Sequence, residues 1–137
     1  MTAAANKKLI QKIFDGLAQG DRALFRAHMA DDFRILVTGR SSWSRRLTTA
    51  AEISRYYAYV RSRFRDPGKT VPERFIADGD LVAVEARGDN VAVTGERYDN
   101  DYCLVFELRD GKIVEMREYM DHAFCERVLG PYPAAAS

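Results

Sequence analysis

Much that would mark a specialised partner is scarce in this chain. Its 137 residues include only two cysteines, two histidines, four prolines and one tryptophan. Cys103 and Cys125 are far apart and match no short metal-binding or redox spacing, which argues against a disulfide framework or a zinc site and predicts two reduced thiols. His28 and His122 stand alone, so a metal centre built on histidine is not expected, and nothing in the pattern calls for a cofactor. No run approaches the roughly 18 apolar residues of a membrane span. The start, Met1-Thr-Ala-Ala-Ala-Asn-Lys-Lys, turns amphipathic without an apolar core segment, so no secretory signal is expected and the reading is cytoplasmic. Surplus charge is missing too: 21 Lys and Arg against 20 Asp and Glu leave a net charge of +1, which gives no reason to expect a nucleic acid or an anionic membrane as partner.

What is present is a packed-core composition, 47% hydrophobic and 11% aromatic, in a length that suits one domain over residues 1–130 with a loose tail over 131–137. Leu9, Ile10, Ile13, Phe14 and Leu17 form one helical stripe within residues 5–18, and Gly20 stops it. Asp21 reads as the N-cap of a short second helix bearing Leu24, Phe25 and Met29. Phe33, Ile35 and Val37 alternate with Arg34, Leu36 and Thr38 as a first strand, followed by the polar loop Gly39–Arg46. Thr49 and Glu52 have the spacing of a capping box, in which each satisfies a free backbone N–H of the other's segment. The third helix that follows sets Ile53, Tyr56, Tyr57, Val60 and Phe64 on one face.

From Val71 the period drops to two. Strands are expected around Phe75–Ala77, from Leu81 toward Val93 with a bulge at Gly88, along the face Tyr98, Asn100, Tyr102, Leu104, Phe106 and Leu108, and over Ile113–Asp121. Asp78-Gly79, Thr94-Gly95 and Asp110-Gly111 supply the turns. Three helices followed by a meander of antiparallel strands give the class α+β. The charges segregate: residues 26–74 hold 11 basic and 5 acidic side chains, residues 75–121 hold 5 and 12. A basic surface that steers an anionic ligand and two ordinary solvated faces both fit that split.

The Gly95…Tyr98 turn, Phe106-Glu-Leu-Arg-Asp-Gly-Lys-Ile113 and Arg117-Glu-Tyr-Met-Asp121 resemble the SnoaL-like, NTF2-like (cystatin-like) superfamily. The helix order, the Gly20-Asp21 turn and Asp31-Asp32 before the first strand extend the likeness over nearly the whole domain. The motif layout is nearest to limonene-epoxide-hydrolase-like and polyketide-cyclase-like members. The resemblance implies a curved antiparallel sheet wrapped around three N-terminal helices, a cone with an apolar internal pocket, and dimers formed through the outer sheet face. It implies a small hydrophobic molecule as ligand, and it does not fix an activity.

On the last strand Val114, Met116, Glu118 and Met120 share the more apolar face, with Glu118 the lone charge. A carboxylate among methionines is costly to ionise, so Glu118 is the leading candidate, as a base of raised pKa or as the anchor of a cation; an edge glutamate that reaches water is the plainer reading. Where limonene-epoxide-hydrolase-like members carry Arg-x-Asp and a further Asp, counting from the shared turns gives Glu85, Arg87 and Glu118. Those three are the candidate catalytic set, with the outer sheet face left open for Glu85 and Arg87 because both faces of their strand carry apolar residues. Epoxide hydrolysis itself is disfavoured, since Ile35 and Val37 stand where those hydrolases hold water with a Tyr and an Asn; ketosteroid isomerisation is disfavoured by Phe14 in place of a Tyr. Candidate substrate-binding residues are Trp43 at the mouth, Tyr57, Asn100, Tyr102 and Met116. Two functions remain: a cofactor-independent acid–base enzyme (isomerase, cyclase or hydratase/hydrolase), or a non-catalytic ligand-binding or dimerisation module.

Overall fold

The computed structural model describes residues 1–134. The first helix, α1 (Ala3–Ala18), starts on Thr2, whose hydroxyl accepts the Ala5 N–H at 3.1 Å. Its apolar stripe buries Ile10, Ile13 and Phe14. Gly20 turns the chain with φ +77°, a conformation a Cβ disfavours. The helix α2 (Ala23–His28) has Arg22, not the expected Asp21, at its N-cap, though the Asp21 carboxylate accepts from Ala23 N at 2.9 Å; Met29, expected in the helix, already belongs to the next strand. The strand β1 (Met29–Val37) begins earlier than alternation indicates, and the polar loop after it hides a short strand, β2 (Arg45–Leu47). The expected capping box is present at the start of α3 (Ala50–Ser62), where Glu52 N donates to Thr49 Oγ1 and Thr49 N to Glu52 Oε1, each at 3.1 Å.

Next come β3 (Thr70–Asp78) and β4 (Leu81–Gly88), joined by a tight turn through Gly79. The long strands expected on either side of Gly95 are broken. The pair β5 (Asn90–Val91) and β6 (Arg97–Tyr98) forms a small separate ribbon before β7 (Asp101–Arg109). Asp110 and Gly111, both with positive φ, turn β7 into β8 (Lys112–Met120). Asp121 then caps α4 (His122–Leu129), its carboxylate accepting from Phe124 N at 3.1 Å.

The main sheet has the order β2-β1-β8-β7-β4-β3. It is an open, curved sheet with the helices on its concave side. It is mixed rather than purely antiparallel: β1 runs parallel to β8, with Ile35 beside Met116 and Val37 beside Glu118. The reason is topological. The chain crosses from β1 through α3, β3, β4 and β7 before β8 returns in the same sense, and a parallel neighbour requires such a crossover. The inner face gathers Phe33, Ile35, Val37, Leu47, Val82, Val84, Leu104, Phe106 and Leu108, with α1 packed over β3 and β4. Phe14 meets Phe75 and Phe106 edge-on at centroid distances of 5.8 and 6.0 Å, seating α1 in the sheet's concavity.

Candidate functional site

The site is built on β8. Its residues do not alternate cleanly, because the register against β7 shifts between Ile113, opposite Leu108, and Glu115, opposite Glu107. The extra residue, Val114, is a bulge. Ile113 therefore joins Met116, Glu118 and Met120 on the inner face, in place of the Val114 expected there; Ile113 is fully buried. Glu118 lies between Val37 on β1 and Leu104 on β7, both core residues. Its backbone is clamped, since Thr38 donates both its N–H (3.0 Å) and its hydroxyl (2.8 Å) to the Glu118 carbonyl.

The Glu118 carboxyl has no ion-pair or hydrogen-bond partner among the described residues. Loss of water contact pushes its pKa up from an ordinary 4.5 to about 7. It keeps partial access to solvent. Its negative charge reaches the hydroxyls of Tyr56, Tyr57 and Tyr102 and the thiol of Cys125. All three phenols are raised by burial first and by Glu118 among their charged neighbours, so they stay protonated and remain donors. Burial likewise lifts the Cys125 thiol to about 11, so it is not a nucleophile at neutral pH. A carboxyl near pKa 7 can take a proton, and three neutral phenols within its electrostatic reach keep their O–H groups as donors.

Glu85 and Arg87 do not join it. Val82, Val84 and Ala86 face inward opposite Phe106, Leu104 and Tyr102, so the residues between them face out. Glu85 pairs with Arg74 across the β3–β4 ladder, and Arg87 with Asp101 at 2.9 Å on β7. The expected three-charge set is therefore not assembled: two of its members are surface ion pairs.

A family model for the SnoaL-like domain matches residues 10–116. The chain belongs to the SnoaL-like domain family. Its fold is shared with a protein from a soil-derived mobile gene cassette (TM-score 0.79, 19% identity, covering 93% of this chain and 98% of that one). It is shared with a putative SnoaL-like polyketide cyclase from Jannaschia sp. (0.75, 20%, 96% and 95%) and with TerC co-crystallised with polyporic acid (0.76, 20%, 90% and 97%). Comparison with curated proteins gives no significant match.

The remaining expected residues of this SnoaL-like domain divide into two groups. Tyr57, Tyr102 and Met116 do lie on the Glu118 side of the sheet: Met116 between Ile35 and Phe106, Tyr102 opposite Met120. Asn100 and Trp43 are structural. Asn100, 2% exposed, donates to the Tyr98 hydroxyl (2.8 Å) and the Asp121 carbonyl (3.0 Å) and accepts from Asp101 N (2.8 Å) and Asp121 N (3.3 Å), which satisfies the buried amide and ties β7 to the start of α4. Trp43, expected at the mouth, is instead 1% exposed, and its Nε1 donates to the Gly130 carbonyl at 3.0 Å. Its ring packs against Tyr56, Tyr59 and Tyr132.

That last contact also corrects the expected loose tail. Tyr132 donates its backbone N–H to Ser42 Oγ at 2.9 Å, stacks on Tyr56 and lies under the Arg45 guanidinium at 3.5 Å, so the tail is docked at its start; residues 135–137 lie outside the described residues. Further links hold α4 to the same loop: Ser41 Oγ is 2.6 Å from His122 Nδ1, and Ser42 donates to Glu126 through both N–H and hydroxyl. The reading of the sequence missed Cys125 as a neighbour of Glu118. The signal was available, since Cys125, Val128 and Leu129 are the buried stripe of α4. Among the described residues no group of three or more His, Cys, Asp and Glu is gathered for a metal ion, and no helix is long and apolar enough to cross a membrane.

Proposed function

We propose that this SnoaL-like domain is a cofactor-independent acid–base enzyme acting on a small hydrophobic molecule, with Glu118 as the residue that moves the proton. The supporting observation is an unpaired carboxyl on the apolar inner face whose pKa is raised to about 7 by desolvation. At neutral pH such a group is present in both forms, which suits removal of a proton from carbon and its return elsewhere, as isomerisation, cyclisation and hydration require. Tyr57 and Tyr102, held neutral, would donate to the oxyanion that forms. The likeness to a putative SnoaL-like polyketide cyclase and to TerC with polyporic acid favours an aromatic or polyketide-like substrate. The protein would work in the cytoplasm as a homodimer.

Solvent-deuterium exchange at the acidic C–H positions of a panel of aromatic ketones tests the chemistry, beside a carboxyl-carbon NMR titration of Glu118. Exchange should be catalysed by the wild type, and Glu118→Gln should lower it by a factor of about 100 to 10,000 while leaving the fold intact. A Glu118 midpoint near 4.5, or undiminished exchange in the variant, overturns the assignment. The second reading, a non-catalytic ligand-binding module, is favoured by one observation: the Glu118 carboxyl lines neither of two grooves of about 460 Å³, one at the β2 edge and one beside the ends of β4, β7 and β8. It predicts saturable binding of polyporic acid without exchange of any ketone in the panel.

A further inference from the structure

One of those grooves opens on the outer face of the sheet. It lies at the β2 edge of the sheet, where Leu36 on β1 has Arg46 of β2 on one side and Arg117 of β8 on the other. Neighbouring strands are about 4.8 Å apart, so the two guanidinium stems rise roughly 10 Å apart with Leu36 between them. Tyr119 completes the relevant lining, and no carboxylate lines the groove; Arg45, opposite Val37, turns its guanidinium to the inner side, over the Tyr132 ring. Tyr119 presents its ring to solvent, 42% exposed, two residues beyond Arg117 on the same face.

The charge here is not balanced from within. Glu115 is the buried carboxylate nearest in the ladder, and it is shared by two arginines: Arg34 at 2.8 Å and Arg117 at 3.3 Å. Arg117 also donates to the Tyr119 hydroxyl at 3.4 Å, while Arg46 has no carboxylate partner among the described residues. Arg46 and Arg117 flank Leu36 from the strands on either side, so an anion seated over Leu36 can be reached by both. The guanidinium fork matches an oxyanion, and the Leu36 and Tyr119 surfaces match a flat apolar body.

We propose that this groove binds a small aromatic molecule carrying one oxyanion, its ring on Leu36 and Tyr119 and its charged group between Arg46 and Arg117. The site is separate from Glu118, on the opposite face of the sheet.

An amide NMR titration of the full chain with 1-naphthoate tests this, with inorganic phosphate and neutral 1-naphthalenemethanol as the two half-ligands. Naphthoate should give saturable shifts at Leu36, Arg46, Arg117 and Tyr119 and bind at least about ten times more tightly than either half-ligand. Arg46→Glu should weaken it by about tenfold or more, whereas Arg87→Glu, an equal charge change elsewhere on the outer face, should alter it by less than about twofold. Shifts confined to other residues, no saturation, equal loss in the two variants, or phosphate binding as tightly as naphthoate would each overturn the proposal. Arg46 is exposed and unpaired among the described residues, so its variant should fold normally.

Discussion

At the scale of single residues, Glu118 carries a cost that pH exposes. Its folded pKa of about 7 lies above the ordinary 4.5, so the folded protein holds this proton more tightly than the unfolded chain does. Its favourable contribution is complete below about pH 4.5 and is lost as pH rises through 7. Above pH 8 the ionised carboxylate then destabilises the fold by about 2 kcal/mol, the shift discounted for its partial solvent access. Glu118→Gln should accordingly raise the denaturation midpoint at pH 8 and leave it nearly unchanged at pH 4.5. Urea melts at the two pH values check this; a variant less stable than wild type at pH 8 would contradict the burial that the site rests on. Glu118 was legible in the sequence because it is the lone charge among methionines at alternate positions. Glu85 and Arg87 were not, because Ala83 and Ala86 make both faces of β4 look alike and only cross-strand pairing decides between them. Asn100 was legible as a buried amide, but its partners at Asp121 are 21 residues away and appear only when β7 meets α4.

At the scale of elements, the sequence conveyed helices, caps and turns well and failed where an element depends on a distant neighbour. The capping box and the Asp110-Gly111 turn are local chemistry and stand as read. The Val114 bulge and the three-residue β2 are set by register against the neighbouring strands β7 and β1, and the parallel β1–β8 pair by partners about 80 residues away, so no local period announces them. The join between α4 and the β1–β2 loop is of that kind, and it has a sensitive point. Gly39 has φ +88°, and a Cβ there would lie 2.5 Å from His122 Nε2, a buried atom without a hydrogen-bond partner among the described residues. Gly20 has a similar φ of +77° with nothing within 4 Å. Both Gly→Ala changes incur backbone strain of about 1 kcal/mol, but Gly39→Ala must also displace His122, for a total of about 3 kcal/mol. Thermal melts of the two variants should separate them clearly, and hydrogen exchange should show α4 loosened in Gly39→Ala alone. Equal losses would mean that the His122 contact contributes nothing to holding α4.

At the scale of the whole molecule, the outer sheet face is chemically divided along the strand order. The β2 end is basic, while the β3 end exposes Val71, Ile76 and Leu81 at 49%, 51% and 44%. A homodimer that covers the β3–β4 end would bury those three and leave the arginine groove open. Ile76→Asp with Leu81→Asp should then shift sedimentation from dimer to monomer without loss of helical signal; an unchanged dimer would place the interface elsewhere. The balanced net charge of +1 concealed this polarity, which only the order of strands brings out. The parallel β1–β8 ladder has a temporal consequence as well. Val37 and Glu118 are 81 positions apart and become neighbours only when β8 enters the sheet. During synthesis β1 emerges early with β2 as its sole available neighbour, and its other edge stays unpaired until nearly the whole chain has left the ribosome. Glu118 and its β1 neighbour Val37 therefore come together only once β8 has been made. A ribosome stalled before residue 118 would carry a chain with most of its helices made and no site at all.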